Sequence, residues 1–212
     1  MARLLSIHVG QPERDGWAAD FDGTSIRKRP VHGPVRATSY GLEGDRVAHP
    51  EVHGGRDMAV YAFAREDYDD WSRELGREVP DGMFGENLTT EGIDVNEALV
   101  GEQWRIGEAL LEIAKVRIPC NTFKGWLGES GFDNTAWVKR FTQANRPGPY
   151  LRVLEEGGIQ AGDAIEVVRR PAHGITVSFM FRALTTEREL MPELLRIDGL
   201  AESVRQYVLR HS

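Results

Sequence analysis

Cys120 is the single cysteine of the chain, so any thiol chemistry must happen there. It follows Arg117, Ile118 and Pro119, precedes Asn121, and has Lys124 close behind it. The thiolate is the nucleophilic and metal-binding form of cysteine, and nearby cations favour it. Pro119 marks a point where a strand must stop, because proline cannot donate to a sheet ladder. A thiol at the mouth of a strand beside Arg117 and Lys124 is therefore a candidate nucleophile or soft metal ligand. The competing reading is an inert buried thiol, the commoner fate of a free cysteine. One cysteine excludes an intramolecular disulfide, a Cys-rich zinc site and an iron–sulfur cluster held within the chain.

Two other segments could bind a ligand. Gly41-Leu42-Glu43-Gly44-Asp45-Arg46 is followed by Val52-His53-Gly54-Gly55-Arg56-Asp57. Adjacent glycines let backbone N–H groups approach an anion, and His53 and Arg56 add donors. The plainer reading is a polar turn with Asp57 in a salt bridge. Phe84-Gly85-Glu86-Asn87-Leu88 could present amide and carboxylate groups to a heterocycle, or could be a turn into a strand. Neither a phosphate-binding Gly-Lys-Ser/Thr loop nor a dinucleotide fingerprint occurs. His49 and His53 are separated by Pro50, which disfavours a helix carrying both as zinc ligands. No Gly-x-Ser-x-Gly is present to suggest a serine hydrolase.

The elements that must position these residues are mostly short strands. Arg3–Val9, 34–40, 58–62, Ala109–Val116, 151–155 and 164–168 read as strands, punctuated by 23 glycines. Leu111, Ile113 and Lys115 share one side of the strand over Ala109–Val116. This density of short strands predicts a barrel or sandwich rather than a doubly wound parallel sheet. A helix over Arg65–Leu75 carries Tyr68 and Trp71 inward, with Gly76 as its left-handed stop. A second, over 133–144, is expected to be capped by Asp133 or Asn134 and to bury Trp137 and Phe141. After Pro171 the pattern turns helical. Thr186 and Glu189 suggest a capping box, and Gly199 separates a last helix carrying Val204 and Val208. The expected organisation is a domain over 1–171 and a small helical extension over 172–212.

The chain has 212 residues, 41% of them hydrophobic, which is enough to bury roughly 70% of the unfolded surface without staples. Its 26 Lys and Arg against 33 Asp and Glu give a net charge of -7, which argues against a general nucleic-acid binder. The apolar start meets Glu13, Arg14 and Asp15 before a signal-peptide core is built, and no apolar run reaches membrane-spanning length. The expected setting is cytoplasmic, with a reduced thiol and no membrane or nucleic-acid partner.

Taken together, the motifs resemble the MOSC domain, found at the C-terminus of molybdenum-cofactor sulfurases, and most closely its stand-alone bacterial type, that of YiiM. The residues that carry the resemblance are Ser25-Ile26-Arg27-Lys28, Gly41–Asp45, Val52–Gly55, Phe84–Leu88, Gly107-Glu108-Ala109, Pro119-Cys120 and Gly162-Asp163. They span residues 25–168 in order, which is far more specific than any one of them. The resemblance implies a mainly β, barrel-like domain followed by a helical extension. It implies a molybdenum cofactor (Mo-molybdopterin) with Cys120 as metal ligand and catalytic residue, and thiolate softness suits that role. On this reading Lys28, Arg56 and Arg117 are candidates for the cofactor phosphate. His53, Asp57 and Asn87 are candidates for the pterin edge, and Gly54 and Gly55 are further candidates for binding the cofactor. Ile118 departs from relatives that carry a hydroxyl residue there, which removes one possible hydrogen bond to the cofactor.

The implied activity is reduction of small N-hydroxylated compounds, such as N-hydroxylated purines, to amines. With neither a cluster nor a nicotinamide motif in the chain, electrons are expected from a separate donor protein. The alternative is a sulfur- or molybdenum-cofactor-carrier module that holds a persulfide on Cys120 and performs no turnover of its own.

Overall fold

The computed structural model describes residues 1–14 and 23–211. Asp15, which helps to end the apolar start of the chain, lies outside them. Strand β1 covers Arg3–Val9, and its inward positions Leu4 and Ile7 reach the core. Short strands β2 (Arg29–Pro30), β3 (Val35–Thr38) and β4 (Gly41–Leu42) follow. Helix α1 (Pro50–His53) and a 3-10 turn at Arg56–Met58 lead into β5, which covers Val60–Ala64. Helix α2 (Arg65–Leu75) ends at Gly76, whose φ is 71°. Strands β6 (Leu88–Glu91), β7 (Gln103–Ile106) and β8 (Ala109–Val116) come next. Helices α3 (Asn121–Glu129) and α4 (Trp137–Ala144) precede β9 (Pro149–Glu155), β10 (Gly157–Ile159) and β11 (Ile165–Arg169). The chain ends in α5 (Val177–Thr185), a 3-10 stretch over Arg188–Arg196, and α6 (Glu202–His211).

Among the described residues, eight strands form one sheet in the order β11-β7-β8-β9-β5-β6-β1-β2, and β10-β3-β4 form a second. Only β5 and β6 pair in parallel there, and α2 is the crossover that such a pair requires. All five residues of β5 are buried, as expected of a central strand covered on both faces. The large sheet curls until β1 meets the entry to β11. The Leu4 amide donates to the Asp163 carbonyl at 2.8 Å, and the Gly162 amide donates to the Leu4 carbonyl at 2.7 Å. An Arg3–Ala164 bridge completes the contact, but no continuous ladder closes the barrel. The fold is thus mainly β and barrel-like.

Phe84 anchors the aromatic centre of the core, with its ring 4.8 Å from Tyr68 and 5.0 Å from both Phe63 and Phe123. Trp71, Trp137 and Phe141 extend that cluster, so the aromatic stripes of α2 and α4 are core. Helix α4 starts later than Asp133 suggests. The Asp133 carboxylate accepts from the Thr135 amide and the Asn134 side chain donates to the Lys124 carbonyl, so both serve the preceding turn. The Thr186–Glu189 capping box does not form either. Thr176 caps α5 by accepting from the Phe179 amide at 3.1 Å, while Thr186 closes the same helix. The following turns are 3-10 and contain Pro192, which has no amide hydrogen to continue an α-helix. Among the described residues no helix is long and apolar enough to cross a membrane.

Candidate functional site

A cleft of about 290 Å3 opens where the ends of β5, β8 and β9 meet the loops after β1 and β4 and before β6. Cys120, Arg117, Lys28, His53 and Asn87 all line it. Residues far apart in sequence therefore share one wall, because β5 and β8 both pair with β9 and the loops fold over their ends.

Lys28 and Asn87 meet on Asp45. The Lys28 ammonium lies 2.5 Å from Asp45 Oδ1 and 2.7 Å from Oδ2, and both side chains are nearly buried. Asn87 Nδ2 donates to Asp45 Oδ2 at 2.9 Å and to the His8 carbonyl at 3.1 Å. Its Oδ1 accepts from the Tyr61 amide at 3.1 Å. The Gly10 amide adds a third donor to Asp45 at 2.6 Å. Both amide hydrogens of Asn87 are thus committed to protein, and the Lys28 charge is cancelled in place. Burial pulls the Lys28 pKa down while Asp45 pulls it up, and the net shift is downward. This network ties the Gly41–Arg46 turn and the Phe84–Leu88 segment to β1, so the two glycine-bearing motifs form one scaffold.

Cys120 is partly exposed and occupies the N-cap position of α3. No side chain caps that helix end, and Thr122 lines the cleft beside it. The start of a helix carries partial positive charge and unpaired N–H groups, which favour an anionic neighbour. Arg117 lies on the same wall. Its guanidinium sits 4.7 Å from the Phe123 ring centre and 5.2 Å from that of Tyr61, and Nη1 donates to the Phe84 carbonyl at 3.1 Å. Burial disfavours the Arg117 cation, yet Tyr150, Tyr61 and Cys120 outweigh burial and its pKa is raised. Among the described residues no carboxylate pairs with it.

The remaining sequence candidates sit beside the cleft rather than in its wall. Gly54 and Gly55 shape the turn out of α1: a Cβ on Gly54 would lie 2.6 Å from the Pro50 carbonyl oxygen. The Arg56 guanidinium lies 5.7 Å from the centre of the exposed Tyr40 ring. The Asp57 carboxylate is held by Arg152 Nε at 3.0 Å. His53 is exposed at the cleft mouth. Ile118 also lines the cleft and leaves an apolar patch there.

Three cleft residues were not singled out as site residues from sequence. Lys115 faces the cleft next to Met58, whose sulfur its ammonium approaches at 3.7 Å. Burial lowers its pKa, with partial opposition from Asp57. Alternation sets Lys115 in phase with Leu111 and Ile113, but the register shift between Ile113 and Lys115 buries Ala114 and Val116 instead, so the sequence pattern did not show where Lys115 points. Ser25 lines the cleft with a buried hydroxyl that finds no partner among the described residues. Tyr150 stacks at 5.1 Å on Tyr61, and β9 brings it there by pairing with β5. Only the tertiary pairing reveals it.

Residues 49–166 match the model of the MOSC domain. The chain is 33% identical to YflK of Bacillus subtilis over 183 residues, covering 84% of this chain and 79% of that protein. It is 32% identical to YiiM of Escherichia coli over 150 residues, covering 69% of this chain and 65% of that one. A protein of Gibberella moniliformis named a reductase is 31% identical over 173 residues, and the match spans 29% of its length. The crystal structure of YiiM from Geobacillus stearothermophilus superposes with a TM-score of 0.81 at 25% identity, covering 100% of this chain and 99% of that one. The family match, the identity to YflK and the shared YiiM fold show that the chain belongs to the MOSC domain family and is YiiM-like.

Proposed function

We propose that the protein binds a molybdenum–pterin cofactor through Cys120 and uses it to reduce N-hydroxylated compounds, N-hydroxylated purines among them, to amines. The observation that carries this reading is the partly exposed Cys120 in a cation-walled cleft of a MOSC fold. The residues present fit such a group. Cys120 offers a soft thiolate donor. Arg117 offers a cation with no carboxylate partner among the described residues to the cofactor phosphate, and Ser25 offers a hydroxyl without a partner among them. Tyr61 and Tyr150 offer aromatic faces.

When bound, the cofactor supplies a two-electron couple at a metal. The balanced reaction is R–NHOH plus two electrons and two protons, giving R–NH2 and water, with cleavage of the N–O bond. The chain's own residues then position and shield. The Tyr61 hydroxyl donates to the Pro147 carbonyl at 2.7 Å, so Tyr61 presents a ring face and not a proton. The Lys28–Asp45–Asn87 network keeps the cleft floor rigid. His53 stands at the mouth, where exchange with water is open. Electrons come from a separate donor protein, since a single cysteine cannot serve both the metal and a cluster.

Metal analysis and fluorescence of oxidised pterin on the purified protein test the reading. Molybdenum and pterin stoichiometric with the chain are expected. Conversion of 6-hydroxylaminopurine to adenine with a chemical electron donor is expected on that material. Sulfur released by thiols, with no molybdenum, would instead establish the carrier alternative.

A further inference from the structure

We infer that Lys115 and Arg117 form a phosphate seat on the β8 wall of the cleft, and that Lys28 is not part of it. Lys115 lies in β8 and Arg117 one residue past its end, where the Arg117 amide still bonds the Gly148 carbonyl just ahead of β9, and both side chains line the cleft. A register shift between Ile113 and Lys115 turns this end of β8 along the cleft, so that the half-buried Lys115 and the buried Arg117 both line it. Among the described residues neither cation has a carboxylate partner. Lys115 meets the weakly accepting sulfur of Met58, and Arg117 the carbonyl of Phe84, the side chain of Tyr150 and the rings of Tyr61 and Phe123, none of which carries a carboxylate. Asp57, the carboxylate that acts on Lys115, is occupied by Arg152.

The rest of the cleft does not cancel this charge. Its one described carboxylate, Asp45, already balances Lys28. A net positive wall therefore remains in a protein whose overall charge is -7. Unpaired cations held away from water are costly until an anion meets them. A planar guanidinium beside a compact ammonium, with the uncapped start of α3 near by, suits a tetrahedral oxyanion of the phosphate class.

The phosphate has two possible sources, a bound cofactor's phosphate ester or a phosphorylated substrate. Only the first depends on the cofactor reading above. Calorimetric titration of cofactor-free protein with inorganic phosphate tests the seat without any metal. The parent should bind, Lys115→Met should bind more weakly by about tenfold to a hundredfold, and Lys115→Arg should restore binding. Lys139→Met, at an exposed position of α4 outside the cleft lining, should match the parent. Circular dichroism confirms that each variant is folded. No measurable binding by the parent, or equal binding by a folded Lys115→Met, overturns the seat whatever the molybdenum content.

A second arm separates the sources. If the seat holds the cofactor, Lys115→Met purifies with less pterin and molybdenum than the parent. If it holds substrate, cofactor content is unchanged, and KM rises for the 5′-monophosphate of the N-hydroxylated purine nucleoside but not for the free base. A Lys115→Met variant that keeps both its cofactor content and its KM values leaves the seat without a ligand and also overturns the inference.

Discussion

Asp45 is a nearly buried carboxylate that accepts from the Gly10 amide, Lys28 and Asn87 at once. Such a group is tolerable only while each partner stays. Asp45→Asn removes the negative charge and leaves the Lys28 ammonium buried without compensation, which should cost about 3–5 kcal/mol. Urea unfolding of the variant measures it. Cys120 behaves differently, because it is partly exposed and caps nothing through its side chain. Cys120→Ser should leave the urea midpoint near the parent's. The reductase activity proposed above, assayed with a chemical electron donor, should fall to background, since a protonated hydroxyl is a poor ligand for a soft site. A Ser variant as active as the parent at equal molybdenum content would remove Cys120 from the chemistry. Lysine chemistry adds a pH test. Burial lowers the Lys115 pKa, so phosphate affinity should decline on the alkaline side at a pH below the ordinary lysine range.

At the scale of elements, the segment between α4 and β9 holds the cleft from behind. Arg146 pairs with Asp67 of α2 and with Asp94, and Asn96 bridges Asp67 to the Gly148 amide. The Gly148 carbonyl in turn accepts from the Arg117 amide at 3.3 Å. Gly148 has φ 70°, and a Cβ there would lie 2.4 Å from the Ala62 carbonyl oxygen. Gly148→Ala should therefore destabilise the fold by more than about 1 kcal/mol, by both backbone strain and collision with β5. A thermal melt reads this. Asp67 is fully buried, and burial raises its pKa from 3.8 to about 6 against the pull of Arg146 and Asn96. A carboxyl whose folded pKa is raised adds stability that is full below pH 4 and is lost as pH rises through 6. The parent minus Asp67→Asn difference in unfolding free energy should accordingly fall by about 2 kcal/mol between pH 4 and pH 7. A flat difference would mean that Asp67 titrates normally.

Across the whole molecule, one hydrophobic core joins the sheet to the C-terminal helices. Val177, Met180 and Phe181 of α5 belong to the same buried cluster as β8 and α4, and the Phe181 ring lies 6.3 Å from that of Phe141. Backbone bonds add to this, since the Val177 amide donates to the Ala98 carbonyl and the Val100 amide to the Ile175 carbonyl. Phe181→Ala should cost about 3–5 kcal/mol through the cavity it leaves. Because the core is shared, tryptophan fluorescence, whose described reporters Trp71, Trp104, Trp126 and Trp137 all precede the C-terminal helices, and circular dichroism, to which those helices contribute, should show one coincident transition, shifted in the variant. Separate transitions would make the last forty or so residues an independent unit.

Local rules determined much of this protein. Alternation placed β1 and β8, a left-handed glycine ended α2, and spaced aromatics marked the core faces of α2 and α4, since each depends on neighbours along the chain. The glycine motifs and Cys120 were readable for the same reason, as short strings tied to one family. Two helix starts were not, because Asp133, Asn134 and Thr186 found other partners once the chain had folded. The roles within the cleft belonged to tertiary structure. Lys28 carries the same charge as Lys115 in the sequence, but folding buries Asp45 against one and sends Asp57 to Arg152 instead of the other. Charge compensation is set by distances between segments remote in sequence, and spacing along a chain does not encode those distances until the sheet has paired.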